Sequence, residues 1–206
     1  EHYAKVGKET GLRVDYNEWD DEMTGLFTTK SEYLEIIQLA KLKNITLEQQ
    51  YNLKEHTQDV SVQKLKNLSS ELEEYKKAHG LIDYNDMILD FIKSDASPKF
   101  DVVFIDEAQD LSLMQWDMAK TIWNKTKDSY IAGDDDQAIF RWAGADVNSF
   151  IAQTGKFLRL TESLRVPKVV HDVAMNIVKR ISKRHHKEWK PKNKTGLLSY
   201  YHEFQD

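Results

Sequence analysis

The spacing of apolar residues follows one rhythm up to Ser97-Pro98 and another after it. In "SEYLEIIQLAKLKN", Tyr33, Leu34, Ile37 and Ala40 recur at helical intervals behind Ser31, a residue suited to cap a helix start. "SVQKLKNLSSELEEYKKAHG" places Val62, Leu65, Leu68 and Leu72 three or four residues apart. Glu73 and Lys77 form a supporting pair on that helix, and Gly80 closes it. "DYNDMILDFIKS" predicts a short helix that starts near Asp83 or Asn85. Residues 1–97 therefore read as mainly helical.

After Pro98 the pattern predicts strands. "KFDVVFID" and "DSYIAGD" are apolar runs of the kind buried on both faces of a parallel sheet. The amphipathic helix "LSLMQWDMAKTIWNK" separates them, with Met114, Trp116 and Trp123 as packing residues. "FLRLTES" predicts a third strand, "PKVVHDVAMNIVKRIS" a helix, and "GLLSYYHEF" a last strand. Strand–helix–strand alternation with short connections predicts an α/β fold around a parallel sheet.

Composition narrows the classes. The chain of 206 residues has no cysteine, which excludes a disulfide framework and thiolate metal sites. No apolar run approaches the ~20 residues of a membrane span, and "EHYAKVGKETG" has no signal-peptide core. The expectation is a cytoplasmic protein with no membrane partner. Its net charge of −5 hides an asymmetry: residues 156–194 hold twelve Lys and Arg against three acids. That stretch suits a phosphate backbone, and it equally suits a solvated helix face.

Chemistry concentrates at two strand ends. Asp106 and Glu107 follow Val102–Ile105, where they either complement the dipole of a following helix or meet a Mg²⁺ ion that carries phosphates. "YIAGDDDQAIFRWAGAD" places three aspartates and Gln137 after the next strand, then Phe140, Arg141 and Trp142. The two aromatics plug a core or form a platform for unpaired bases. Spacing alone does not choose. His185-His186 is a weak metal candidate, since adjacent residues on a helix point about 100° apart.

"DEAQD", "GDDDQAIFRWAGAD" and "RLTESLR", in this order, resemble the motifs of superfamily one DNA helicases of the UvrD/Rep/PcrA type. "LIDYNDMI" resembles that family's Asp-Phe-Asp-Asp-Leu segment, and the clear likeness covers roughly residues 75–181. The resemblance implies an α/β fold, a partial RecA-like parallel sheet of the P-loop NTPase type with a helical insertion subdomain. Residues 1–97 would be the insertion, 98–154 the second half of the first RecA-like lobe, and 155–206 the opening of the second. It implies ATP and Mg²⁺, with single-stranded DNA or a single-strand/duplex junction as partner. Asp106 would hold Mg²⁺, Glu107 would activate water, Gln137 would sense the γ-phosphate, and Arg165 would stabilise the developing charge as the lobes close on ATP. Phe140, Arg141 and Trp142 would contact DNA.

The departures are specific. Ser163-Leu164-Arg165-Val166 stands where the family has Asn-Tyr-Arg-Ser, so the tyrosine that packs on adenine is replaced. Ala143 stands where many relatives have arginine. The P-loop pattern Gly-x-x-x-x-Gly-Lys-Ser/Thr does not occur, and "VGKETG" fails it at His2 and Glu9. The expectation is an internal slice of a longer helicase, inactive alone as an ATPase and missing the remainder of its chain. A non-catalytic module that binds DNA or a protein, or part of a fused helicase–nuclease, are the alternatives.

Overall fold

The computed structural model describes residues 2–11, 16–20, 27–29, 31–53, 56 and 60–200, the second and third of these as backbone only. The chain forms two compact units. The first comprises Glu1–Asp134 and Ala138–Phe150, the second Asp135–Gln137 and Ile151–Asp206.

In the first unit, helix α1 (His2–Glu9) precedes an antiparallel pair, β1 (Tyr16–Asp20) and β2 (Phe27–Thr29). The helical rhythm of the early chain does not predict this pair. Helices α2 (Glu32–Leu42), α3 (Leu47–Asn52), α4 (Val62–His79) and α5 (Tyr84–Ser94) follow. Eight of the eleven residues of α2 are buried, so this helix is central. Leu34, Ile36 and Ile37 of α2 pack with Val6 of α1 and with Leu65, Leu68 and Leu72 of α4. The 3–4 spacing read from the sequence is the stripe that α4 turns to this core. Gly80 closes α4 with φ +62°, a left-handed conformation that favours glycine. Asp83 caps α5 reciprocally with Asp86.

Glu73 does not pair with Lys77. It meets Lys41 of α2 at 2.7 Å and Lys76 at 2.9 Å. Lys76 is buried, and its ammonium also reaches Asp83 at 3.0 Å and Asp86 at 2.6 Å. Burial by itself lowers the lysine pKa, but the bonds to Asp86, Glu73 and Asp83 outweigh it and hold Lys76 well above its ordinary value. Asp86 is held low: burial opposes this, and the Asp83 N–H, Lys76 and Lys41 prevail.

Strand β3 (Val102–Ile105) runs parallel to β4 (Asp128–Ile131), joined through helix α6 (Leu113–Trp123). Met114 and Trp116 are fully buried, and Trp116 meets Trp123 edge-on, as the packing role predicts. Neither strand is buried on both faces, contrary to the expectation from their apolar runs. Phe104 is 76% exposed and stacks on the exposed Tyr130, with ring centroids 5.0 Å apart. Each strand of this two-stranded sheet has a single strand neighbour, and exposed positions of β3 alternate with half-buried Val103 and Ile105. Helix α7 (Val147–Ile151) has its residues up to Phe150 in this unit.

In the second unit, β5 (Glu162–Pro167) leads into helix α8 (Lys168–Val178) and pairs in parallel with β6 (Lys190–Lys192). The third strand therefore starts five residues after Phe157, and Leu158 and Leu160 lie exposed ahead of it. Residues 196–200 form no strand, and the rest of "GLLSYYHEF" lies outside the described residues. His185 and His186 lie in irregular chain rather than on a helix. Among the described residues the sheets are two-stranded pairs, two parallel and one antiparallel, in a mixed helix and strand fold.

The charge cluster fixes a pH dependence. Asp86 titrates lower folded than unfolded, so its contribution is complete above the unfolded value near ~4 and is lost as pH falls through the folded value. Lys76 titrates higher folded, so its contribution is complete below ~10.4 and is lost only as pH rises through the folded value. Urea unfolding of Asp86→Asn should show a shallower loss of stability than the parent below about pH 4. Lys76→Met should lose about 1–3 kcal/mol at neutral pH, because it takes from the half-buried Asp83 and Asp86 their nearer cation and leaves them only the more distant Lys41.

Candidate active site and nucleic-acid interface

Strand pairing in the first unit continues past the ends of β3 and β4. The Ala132 N–H donates to the Ile105 carbonyl at 2.7 Å, and the Ala108 N–H to the Ala132 carbonyl at 3.0 Å. This brings the turn at Asp106–Asp110 beside Gly133 and Asp134. Glu107 has φ +50° and ψ +37°, a left-handed conformation that costs a non-glycine residue about 1–2 kcal/mol. Such strain clusters where a side chain must be aimed. Asp106 and Glu107 are both exposed, and Asp106 Oδ1 accepts the Glu107 N–H at 2.9 Å.

Gln109 holds the turn from below. Its side chain is buried, and Nε2 donates to Glu107 Oε2 at 2.7 Å and to Asp110 Oδ2 at 3.1 Å. Its Oε1 accepts the Asp134 N–H at 2.9 Å. One carboxamide thus joins both strand ends. The sequence contains this residue within "DEAQD", but its position there does not disclose the bridge. Burial pushes the Asp110 carboxyl up, the Gln109 bond opposes this, and the charge of Glu107 adds to the rise.

The aromatic loop is tied to the same turn. Ser112 pairs with Ala145 in an antiparallel bridge, and the Asp146 N–H donates to the Leu111 carbonyl at 2.8 Å. Ser112 also caps α6 reciprocally with Gln115, so one short segment anchors both helix and loop. Arg141–Ala143 form a single 3-10 turn that ends at Gly144 with φ +101°. A Cβ on Gly144 would lie 3.3 Å from Leu42 Cβ, so the loop sits close on α2. Ala143 is buried, while Arg141 and Trp142 are exposed, Trp142 at 60%. Phe140 is half-buried and lines a cavity of about 330 Å³ with Leu34, Tyr84, Asp110 and Ser112. The structure therefore gives the two aromatics different surroundings.

In the second unit, Gln137 ends the one-turn 3-10 helix Asp135–Gln137 and is exposed. Arg165 lies exposed on β5, where the Ser163 hydroxyl accepts its backbone N–H at 3.3 Å. Among the described residues, no three His, Asp or Glu side chains converge to ligate an ion. An ion here would have one or two carboxylates, water and phosphate oxygens as ligands. Mg²⁺ accepts such a set, and the exposed Asp106 and Glu107 fit it.

The model of the UvrD/REP helicase N-terminal domain matches residues 7–157. The chain belongs to this family. Within curated UvrD/REP-type relatives, the ATP-dependent DNA helicase PcrA of Bacillus subtilis (strain 168) is 28% identical over 135 residues, 58% of this chain and 18% of the relative. PcrA of Staphylococcus epidermidis (strain RP62A) is 29% identical over 109 residues, 50% of this chain and 15% of the relative. PcrA of Staphylococcus aureus (strain Mu50) is 28% identical over 110 residues, 51% and 15%. The matches span less than a fifth of the length of these relatives.

Among the described glycines, Gly133 has the least room. A Cβ there would lie 2.6 Å from Gln109 Oε1 and 3.0 Å from the Phe150 ring. Gly133→Ala should displace Gln109 from the Asp134 N–H and cost about 1–3 kcal/mol, measured by urea unfolding.

Proposed function

We propose that the chain is part of an ATP-dependent DNA helicase or translocase that couples ATP hydrolysis to movement on single-stranded DNA. One observation carries this reading: the turn that bears Asp106 and Glu107 and the loop that bears Phe140, Arg141 and Trp142 are joined by the Ser112–Ala145 bridge. A carboxylate pair suited to phosphate chemistry and an aromatic platform suited to bases thus share one rigid support. Family membership and the likeness to PcrA support the same reading.

Asp106 would orient a hydrated Mg²⁺, which neutralises phosphate charge when bound. Glu107, aimed by its left-handed backbone and by Gln109, would hold the attacking water and take its proton. By the family resemblance, Gln137 would sense the γ-phosphate and Arg165 would be the cation that meets the developing charge. Trp142, with its exposed ring, would stack on a base, flanked by Arg141. Phe140 would meet DNA only on its open side. Residues 1–97 are proposed as the helical insertion, 98–154 as the second half of the first RecA-like lobe and 155–206 as the start of the second.

The 206 residues lack a P-loop, so we infer that this chain alone does not turn over ATP. The test is Mg²⁺-ATP hydrolysis with and without single-stranded DNA, by the chain and by a longer protein that supplies a P-loop. The chain should not exceed its own Glu107→Gln variant. The longer protein should be stimulated by DNA and lose about 10²–10⁴-fold in rate with Glu107→Gln. Stimulated turnover that survives Glu107→Gln would overturn the assignment. Trp142→Ala should weaken single-stranded DNA binding about tenfold by fluorescence titration, with little preference among sequences.

A further inference from the structure

Asp135 and Asp136 are successive carboxylates, and their side chains are only 2% and 7% exposed in the second unit. Adjacent buried negative charges persist only where cations and donors meet them. Here they come from one short stretch. Arg184 donates through Nε to Asp136 Oδ1 at 2.6 Å and through Nη2 to Asp136 Oδ2 at 2.7 Å, the paired geometry of a guanidinium on a carboxylate. Lys187 donates to Asp135 and lies 3.2 Å from Asp136. The His185 backbone N–H also donates to Asp135. Two cations of the basic segment 156–194 are therefore committed to these carboxylates within the fold.

Asp135 and Asp136 are the first two residues of the 3-10 turn whose third residue is Gln137. Clamping both carboxylates fixes the backbone from which the Gln137 side chain departs. We propose that Arg184 and Lys187 are positioning residues for Gln137, holding the Asp135–Asp136 turn in the geometry from which Gln137 addresses a nucleotide phosphate. This rests on the function proposed above. Arg184 has the larger part, because lysine cannot reproduce two parallel bonds from one planar group.

The test uses the full protein and two readouts: hydrogen exchange across residues 133–142 without nucleotide, and DNA-stimulated ATP hydrolysis. Arg184→Gln should speed exchange in that segment about tenfold or more. It should lower kcat about tenfold with KM for ATP within about twofold, and Lys187→Gln should do less. Arg184→Lys should fall between Arg184→Gln and the parent. Arg184→Asp combined with Asp136→Arg should recover protection that Arg184→Asp alone loses. If Arg184→Gln fails to fold, Arg184→Lys supplies both readouts. Unchanged exchange overturns the clamp, and faster exchange with unchanged kcat overturns the positioning of Gln137. A parent protein that hydrolyses no ATP on DNA instead overturns the proposed function, and exchange still decides whether the turn is clamped.

Discussion

The first unit's candidate chemistry depends on the carboxamide of Gln109. It is neutral, buried and two-sided: its nitrogen serves Glu107 and Asp110, and its oxygen serves the Asp134 backbone. A charged residue in this place would need a counter-ion, and an apolar one would take from the Asp134 N–H, Glu107 and Asp110 the bonds that Gln109 supplies. An amide can satisfy donors and acceptors on opposite sides. In this way one side chain ties two strand ends that carry several acids. It also accounts for Gly133, since any side chain there would take the space of the Gln109 oxygen.

A second support extends the first. The segment Leu111–Ser112 leaves the acidic turn, caps α6, and pairs with Ala145 and Asp146. The aromatic loop is therefore not a free excursion. Gly144 presses it on Leu39 and Leu42 of the most buried helix, while Trp142 stays outside. Rigid attachment at both ends with one exposed ring is the arrangement expected where a displacement at one end is to be felt at the other.

Much of this was legible in the chain. Helix α4 was legible in its apolar stripe and terminal glycine, and the start of α5 was placed near Asp83 or Asn85, where Asp83 caps it. The position of Asp106 and Glu107 after a short apolar run was enough to place them at a strand end. The pairings were not legible. Nothing local says that Glu73 chooses Lys41 and Lys76 over Lys77, or that Arg184 chooses Asp136 forty-eight residues away. The apolar runs of β3 and β4 misled in another way: they state what a strand can bury, while burial also needs a covering layer. The β1–β2 pair falls where no alternation in the sequence stands out.

Lys76 has a consequence for reactivity. An amine attacks electrophiles only when it has lost its proton, and three carboxylates keep this one from doing so. Its nitrogen is also occupied on every side by acceptors and reached only through a side chain 11% exposed. Acylating reagents, enzymatic or synthetic, would modify surface lysines such as Lys93, which is 72% exposed, long before this one. A lysine can thus be made chemically silent by neighbours that leave it fully charged.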